Sequence, residues 1–345
     1  METINAQREE PKIAVITDLH GDRETAREMK EFLQTQDVDI IVLAGDTPDN
    51  TKATFTWMIK NFRRVSVPVI VFPGSHENSF LYKEVLKGFK DDKNVIDGRK
   101  QENWRVRIDG YELLLIPGSD TVARGTNRKN GGNMWLVTDK ETPQLKAQLT
   151  KKIQRVEIAT KAEPVFIEDV KRAFSRKTKV PRTKQIVISH IPLRCAKKNS
   201  IDVARFGKAK QEFKLKKKDF TKKELELLSA SKTETVFSEN SVLPLKMAKI
   251  VHNKGYPLKL HNKNVGSKAI RKLLNKHNIT KFICGHIHEA GPKAIDKKER
   301  KLKKQWNKEF YANNGPGNEG NLTLLTLRKD GKVKHEFVNV KKKSD

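Results

Sequence analysis

The chain has 345 residues, 36% hydrophobic and 33% charged, with a formal net charge of +29. That length allows one large α/β domain or two ordinary ones, and the absence of any run of about 18 apolar residues argues against a spanning helix. Two cysteines without CxxC spacing argue against a disulfide framework or a thiolate zinc site.

At the N-terminus, METINAQREEPK lacks the apolar centre of a signal peptide, so a cytoplasmic protein is expected. KIAVIT (12–17) is a β-branched run, and residues 22–36 then show helical apolar spacing through Ala26, Met29, Phe32 and Leu33. The cycle repeats with DIIVLAGD (39–46), a helical stretch from Lys52 to Phe62, and VPVIVFPG (67–74). Runs this apolar suggest parallel strands covered on both faces. NWRVRIDG and YELLLIPG (103–118) read as a hairpin turned at Asp109-Gly110, which makes the sheet mixed.

From 121 to 183 the pattern changes to RGTNRKNGGN and then to helical sequence at Leu145–Ile158 and Phe166–Phe174, an insertion of cap-like character. QIVISHIP (185–192) restores the core signal before a second, basic insertion at 197–262. That insertion holds KAKQEFKLKKKDFTKK (208–223), expected as a solvated helix or mobile loop. A helix at 267–277, the strand TKFICGHIH (280–288), YANNGPG (311–317) and the strands NLTLLTL and KVKHEFVNV close a single domain spanning 1–345.

Charge is unevenly spread along this order. Residues 1–120 hold 17 Lys+Arg against 21 Asp+Glu, leaving 54 against 21 for the remainder. The asymmetry favours a polyanionic partner through counterion release, against the alternatives of plain solubility and a thermophile-type charged surface. Basic residues 197–262 and 293–308 are the nucleic-acid candidates, and Trp135, Phe213, Phe220 and Trp306 are candidates for stacking on bases or for ordinary packing.

Ligands of open α/β sheets gather beyond the carboxyl ends of strands. Five such ends carry metal-compatible residues: Asp18-Leu19-His20, Gly45-Asp46, His76, Ser189-His190, and Gly285-His286-Ile287-His288. Carboxylates mixed with imidazoles suit borderline divalent metals such as Mn, Fe, Co, Ni or Zn. Read as extended segments, DLH and HIH aim both outer side chains to one face and turn Leu19 and Ile287 to the core. Ser75-His76 and Ser189-His190 are neighbours on a strand, point to opposite faces and lack a G-x-S-x-G context, which argues against covalent serine catalysis.

In this order, DLH, GD, GSHE, SHIP and GHIH resemble the motifs of the calcineurin-like metallophosphoesterases, over residues 12–288. The resemblance implies a four-layer α/β sandwich of two mixed β-sheets flanked by helices, here with Lys-rich insertions. It implies that Asp18, His20 and His288 hold a first metal, that His190 and His286 hold a second, and that Asp46 bridges. Two divalent ions are therefore expected, manganese first among them. His76 matches the family histidine that contacts phosphate and protonates the leaving oxygen, with Asp49 or Glu77 to orient it; Asp49 also fits ordinary turn chemistry.

Ser75 departs from the family asparagine, a ligand of the second metal. A serine hydroxyl is shorter, so it is expected to reach a metal only through water and to weaken that site. The expected function is metal-dependent hydrolysis of phosphate esters, with a phosphodiesterase or nuclease favoured over a phosphomonoesterase. The alternative is a catalytically weak binding or scaffold protein on the same fold, as a retromer subunit is.

Overall fold

The computed structural model describes residues 2–4, 8–49, 51–75, 77, 79–119, 136–138, 164–227 and 236–342. His76, Trp135, the RGTNRKNGGN stretch and the helical sequence at 145–158 lie outside the described residues. The chain groups into two compact units, Met1–Asp202 with Val265–Asp345, and Val203–Asn264.

In the larger unit, a six-stranded sheet runs Val333–Asn339, Asn321–Leu327, Lys12–Ile16, Ile40–Ala44, Val69–Phe72, Val95–Asp97. The last four strands are mutually parallel, and the first two join antiparallel. A seven-stranded sheet runs Glu2–Ile4, Arg105–Ile108, Tyr111–Ile116, Gln185–Ser189, Lys281–Cys284, Phe310–Asn313, Lys293–Ile295, with a parallel centre. Both sheets are mixed. The hairpin between Arg105–Ile108 and Tyr111–Ile116 turns on Asp109 and Gly110, both at positive φ, as a primed two-residue turn requires.

Strand alternation builds the layers. Ile13 and Val15 join Ile40, Val42, Ile70, Leu113, Leu115, Ile186, Ile188 and Ile283 in the core between the sheets. Their neighbours Ala14 and Ile16 turn the other way, with Ile41, Leu43 and Val71, onto Ala26, Met29, Leu33, Phe55, Met58 and Phe62 of helices Arg23–Gln34 and Lys52–Arg63. Leu114, Ile116, Val187 and Phe282 pack outward against Val170, Phe174, Ile270 and Leu273 of helices Ile167–Ser175 and Lys268–Lys276. The result is the helix–sheet–sheet–helix sandwich expected from the sequence, with each buried Ile, Leu or Phe contributing about 1.5–3 kcal/mol of transfer free energy. Asp22, Thr51 and Ser267 cap three of these helices by accepting backbone N–H bonds from Thr25, Thr54 and Ile270.

The Val203–Asn264 unit has its own core. An antiparallel sheet of Val242–Pro244, Val203–Ala209 and Leu258–Asn264 packs with helix Leu245–Asn253, burying Ala209, Leu243, Ala248, Val251 and Leu258. The lysine-rich run 208–223 is neither a long solvated helix nor a bare loop. It ends one strand, forms the short strand Phe213–Lys214 and the turn Lys217–Asp219, and enters the helix Lys222–Leu227. Phe213, Leu215 and Phe220 anchor it in the core while the intervening lysines face out. The two phenylalanines are therefore packing residues and not stacking surfaces, and Trp306 is half-buried beneath the Arg328 guanidinium at 4.7 Å. Among the described residues, no helix is long and apolar enough to cross a membrane.

Candidate metal centre

Two pairs of parallel neighbouring strands, one pair in each sheet, deliver the polar residues. Lys12–Ile16 leads to Asp18 and His20, Ile40–Ala44 to Asp46, Gln185–Ser189 to His190, and Lys281–Cys284 to His286 and His288. The loops are tied by backbone bonds: Asp18 N–H donates to Gly45 O at 3.0 Å, His20 N–H to Asp46 O at 2.9 Å, and Gly285 N–H to His190 O at 3.0 Å. Asn313 binds across from the next strand, its side-chain amide donating to the carbonyls of Gly285 and Ile287 at 3.2 and 3.1 Å.

Asp18, His20, Asp46 and His286 all adopt left-handed backbone, at φ 57°, 48°, 52° and 68°. Each costs of order 1–3 kcal/mol and persists only where its surroundings fix it. This corrects the extended reading of DLH and HIH: the strands stop at Ile16 and Cys284, and the motif residues turn through αL instead of alternating. Leu19 and Ile287 are buried as expected, but His286 and His288 serve different clusters.

One cluster is Asp18, His20 and His288; the other is Asp46, His190 and His286, with the ligand-capable atoms of each within 4.8 Å of one another. His20 Nε2 lies 3.4 Å from His288 Nε2, which is 3.4 Å from Asp18 Oδ1. His190 Nε2 lies 3.1 Å from both Asp46 Oδ2 and His286 Nδ1, and 4.0 Å from Asp18 Oδ1, so the clusters adjoin. His190 Nδ1 is 3.2 Å from the Ala44 carbonyl, which can only accept; Nδ1 therefore carries a proton in either charge state, and Nε2 is the nitrogen directed at the cluster.

These residues fit a pair of divalent cations. Asp18 Oδ1 is buried and faces imidazole nitrogens, His288 Nε2 at 3.4 Å and His190 Nε2 at 4.0 Å, and the imidazole nitrogens face one another at distances a shared cation would occupy. Two carboxylates and four imidazoles form a borderline donor set. Without cations, protons compensate the carboxylates. Burial opposes charge on His190, yet Asp46 and Asp18 outweigh it and raise its pKa to about 10. Burial and the neighbouring charged His190 lower His286 to about 3. Burial pushes Asp18 up, but hydrogen bonding to His288 and the charges of His190 and His288 hold it well below the ordinary carboxylate range.

Ser75 is buried against Asp46, its Oγ donating to Oδ2 at 2.8 Å and its N–H to Oδ1 at 2.5 Å. Glu77 is buried as well, and each of its oxygens accepts a backbone N–H, from Thr47 at 2.9 Å and Gly74 at 2.8 Å. Burial and the Asp46 charge raise it to about 8. Asp49 accepts from Thr51 N–H and the hydroxyls of Thr51 and Thr54 at the start of helix Lys52–Arg63. Sequence reasoning missed Asn313 and the clamp made by Glu77. The signal for the first was an Asn-Asn pair directly after an apolar strand, and for the second an acid beside Pro-Gly-Ser with two loop amides in reach.

The fold resembles the crystal structure of TT1561 of Thermus thermophilus, with a TM-score of 0.50 at 12% identity over 96% of this chain and 100% of that one. A dimetal phosphatase from Danio rerio aligns at TM-score 0.46 and 10% identity, over 96% of this chain and 99% of that one. GAP50, the anchor in the inner membrane complex of Plasmodium, aligns at 0.47 and 14%, over 98% and 87%. No curated protein matches by sequence. A family model, calcineurin-like phosphoesterase, matches residues 11–290, a span that contains both histidine–carboxylate clusters. The chain belongs to the calcineurin-like phosphoesterase family.

Proposed function

We propose that this protein is a two-metal phosphodiesterase acting on nucleotides or nucleic acid, with manganese as the preferred ion. The observation that carries the proposal is the meeting of the Asp18–His20–His288 and Asp46–His190–His286 clusters within one shared site. When bound, divalent cations neutralise charge on the phosphoryl oxygens and supply a nucleophile at neutral pH. Asp18, His20 and His288 would hold one ion, His190 and His286 the other, with Asp46 between them. His190 is kept in the useful tautomer by the Ala44 carbonyl, and Asp46 is kept in place by Ser75.

His76, assigned by its motif, protonates the departing oxygen. Asp49 and Glu77 stand as orienting groups, Glu77 also fixing the Thr47 and Gly74 amides beside Asp46. The diester preference is supported by the basic excess beyond residue 120, which suits a nucleic-acid backbone along residues 197–262 and 293–308. A cytoplasmic location belongs to the same proposal, supported by two buried, unpaired cysteines.

The test is turnover of the manganese-loaded protein on bis(4-nitrophenyl) phosphate, 4-nitrophenyl phosphate and a single-stranded oligonucleotide. Faster diester and oligonucleotide cleavage is expected; a monoester preference would reassign the substrate. The Ser75 contact with Asp46 favours one rival, a scaffold that keeps the site but not the activity, and that rival requires no turnover on any ester with both sites loaded.

A further inference from the structure

The Val203–Asn264 unit, which overlaps the basic span 197–262 proposed above to follow a nucleic-acid backbone, presents a sheet face with an aromatic pair among lysines. Helix Leu245–Asn253 packs Ala248 and Val251 with the side bearing Leu258, Leu243 and Ala209. Strand alternation turns Ala204, Phe206 and Lys208 to the opposite side. Register places Phe206 beside His261 and Pro244, Lys208 beside Lys259 and Val242, and Ala204 beside Lys263.

Lys259, Lys263 and Val242 are exposed, and Phe206, Lys208 and His261 are partly exposed. The Phe206 and His261 rings stack with centroids 5.2 Å apart and planes 19° apart. No Asp or Glu occurs in the three strands, and by register Lys208, Lys259 and Lys263 are the charged residues beside the ring pair on this face. Slight burial and the charges of Lys263, Lys259 and Lys208 hold His261 below its ordinary pKa, which favours the neutral imidazole at pH 7.

We propose that this face binds single-stranded nucleic acid, with bases stacking on the Phe206–His261 pair and phosphates meeting Lys208, Lys259 and Lys263. A solvated lysine surface needs no aromatic centre, whereas unpaired bases offer π-faces and phosphates at once; a duplex hides its π-faces inside the stack. Stacking is blind to the sugar, so DNA and RNA single strands are both ligands. The inference rests on the nucleic-acid part of the proposed function and deepens it by naming the single-strand platform; binding measured without turnover keeps its failure distinguishable from failure of the hydrolase assignment.

The experiment is fluorescence anisotropy of the full chain in EDTA, which removes hydrolysis from the readout. Labelled DNA and RNA single strands of about 12 nucleotides, within the span such platforms cover, are compared with the corresponding duplex. Phe206→Ala weakens single-strand binding roughly tenfold, and Phe206→Trp retains it. The combined Lys208→Ala, Lys259→Ala, Lys263→Ala variant makes the slope of log K against log salt shallower by about 2. Thermal melting by circular dichroism verifies folding, and His261→Ala repeats the stacking test if Phe206→Ala does not fold. Single-strand affinity unchanged by loss of the ring and by loss of the lysines would overturn the proposal, as would equal losses for single strand and duplex on removing the ring.

Discussion

Ser75 holds the Asp46 carboxylate at both oxygens, Oγ to Oδ2 at 2.8 Å and N–H to Oδ1 at 2.5 Å. The hydroxyl is thus engaged with the carboxylate of the Asp46–His190–His286 cluster, where an asparagine would extend an amide oxygen past it. Ser75→Asn is expected to tighten the Asp46–His190–His286 site by about tenfold, the low end for residues that tune a metal ligand. Turnover at limiting manganese should rise with occupancy. Titration calorimetry and metal content at fixed free ion measure the first effect, and initial rates the second. Unaltered affinity would show that Ser75 does not limit the site.

Asp46 and His76 separate holding the ions from moving a proton. Asp46→Ala removes the carboxylate that lies 3.1 Å from His190 and anchors Ser75, so both metal content and turnover should fall. His76→Ala should keep both ions and lose about 10²- to 10⁴-fold in rate, the usual worth of a general acid. Equal metal loss in the two variants would contradict this division.

Most of the sandwich was legible because its strands are short apolar runs bounded by turn residues and its helices keep a 3.6-residue stripe. Ala26, Met29 and Leu33 are buried where that stripe put them. Backbone handedness at the site was not legible. Asp18, His20, Asp46 and His286 adopt a conformation uncommon for non-glycine residues, imposed by loop-to-loop bonds that join positions far apart in the chain. The same limit applied to residues 208–223, where the density of lysines masked Phe213, Leu215 and Phe220, whose burial depends on strands and a helix 20 or more residues later. Asn313 acts on carbonyls of the GHIH loop and Glu77 reaches back to Thr47, so the Asn-Asn pair and the acid beside Pro-Gly-Ser were visible in the sequence while the contacts they make 26 to 30 residues away were not.

Stability of the metal-free chain should fall as pH rises. Burial disfavours the His190 imidazolium, but the surrounding carboxylates raise its pKa from 6.5 to about 10. Its contribution is complete below pH 6.5 and is lost as pH climbs through about 10. Glu77 acts in the same sense: burial and Asp46 raise it from 4.5 to about 8, so folding opposes its ionisation and stability is withdrawn across that interval. Below pH 6.5 the lowered His286, at about 3, acts in the opposite sense and offsets Glu77, so in EDTA the melting temperature should decline from about pH 6.5 to 10, and saturating manganese should reduce the decline because cations replace the protons. A flat profile in EDTA would mean that neither group is shifted as described.

Gly285 tests how closely the loops must approach. A methyl group at that position would collide with the Asp18 carboxylate and with Thr17 Oγ1, while His286 N–H already fixes Asp18 Oδ2 at 2.9 Å. Asp18 cannot yield without leaving His20 and His288, so Gly285→Ala should cost about 1–3 kcal/mol of stability, as overpacking does, and empty the Asp18–His20–His288 site first. Gly255 provides the contrast: it has φ +80° but nothing within 4 Å of the added carbon, so Gly255→Ala meets backbone strain alone and should leave metal content unchanged. Metal stoichiometry and urea unfolding of both variants decide the matter. If Gly285→Ala binds both ions with wild-type affinity, the contact between the GHIH loop and Asp18 does not set the geometry of the first site.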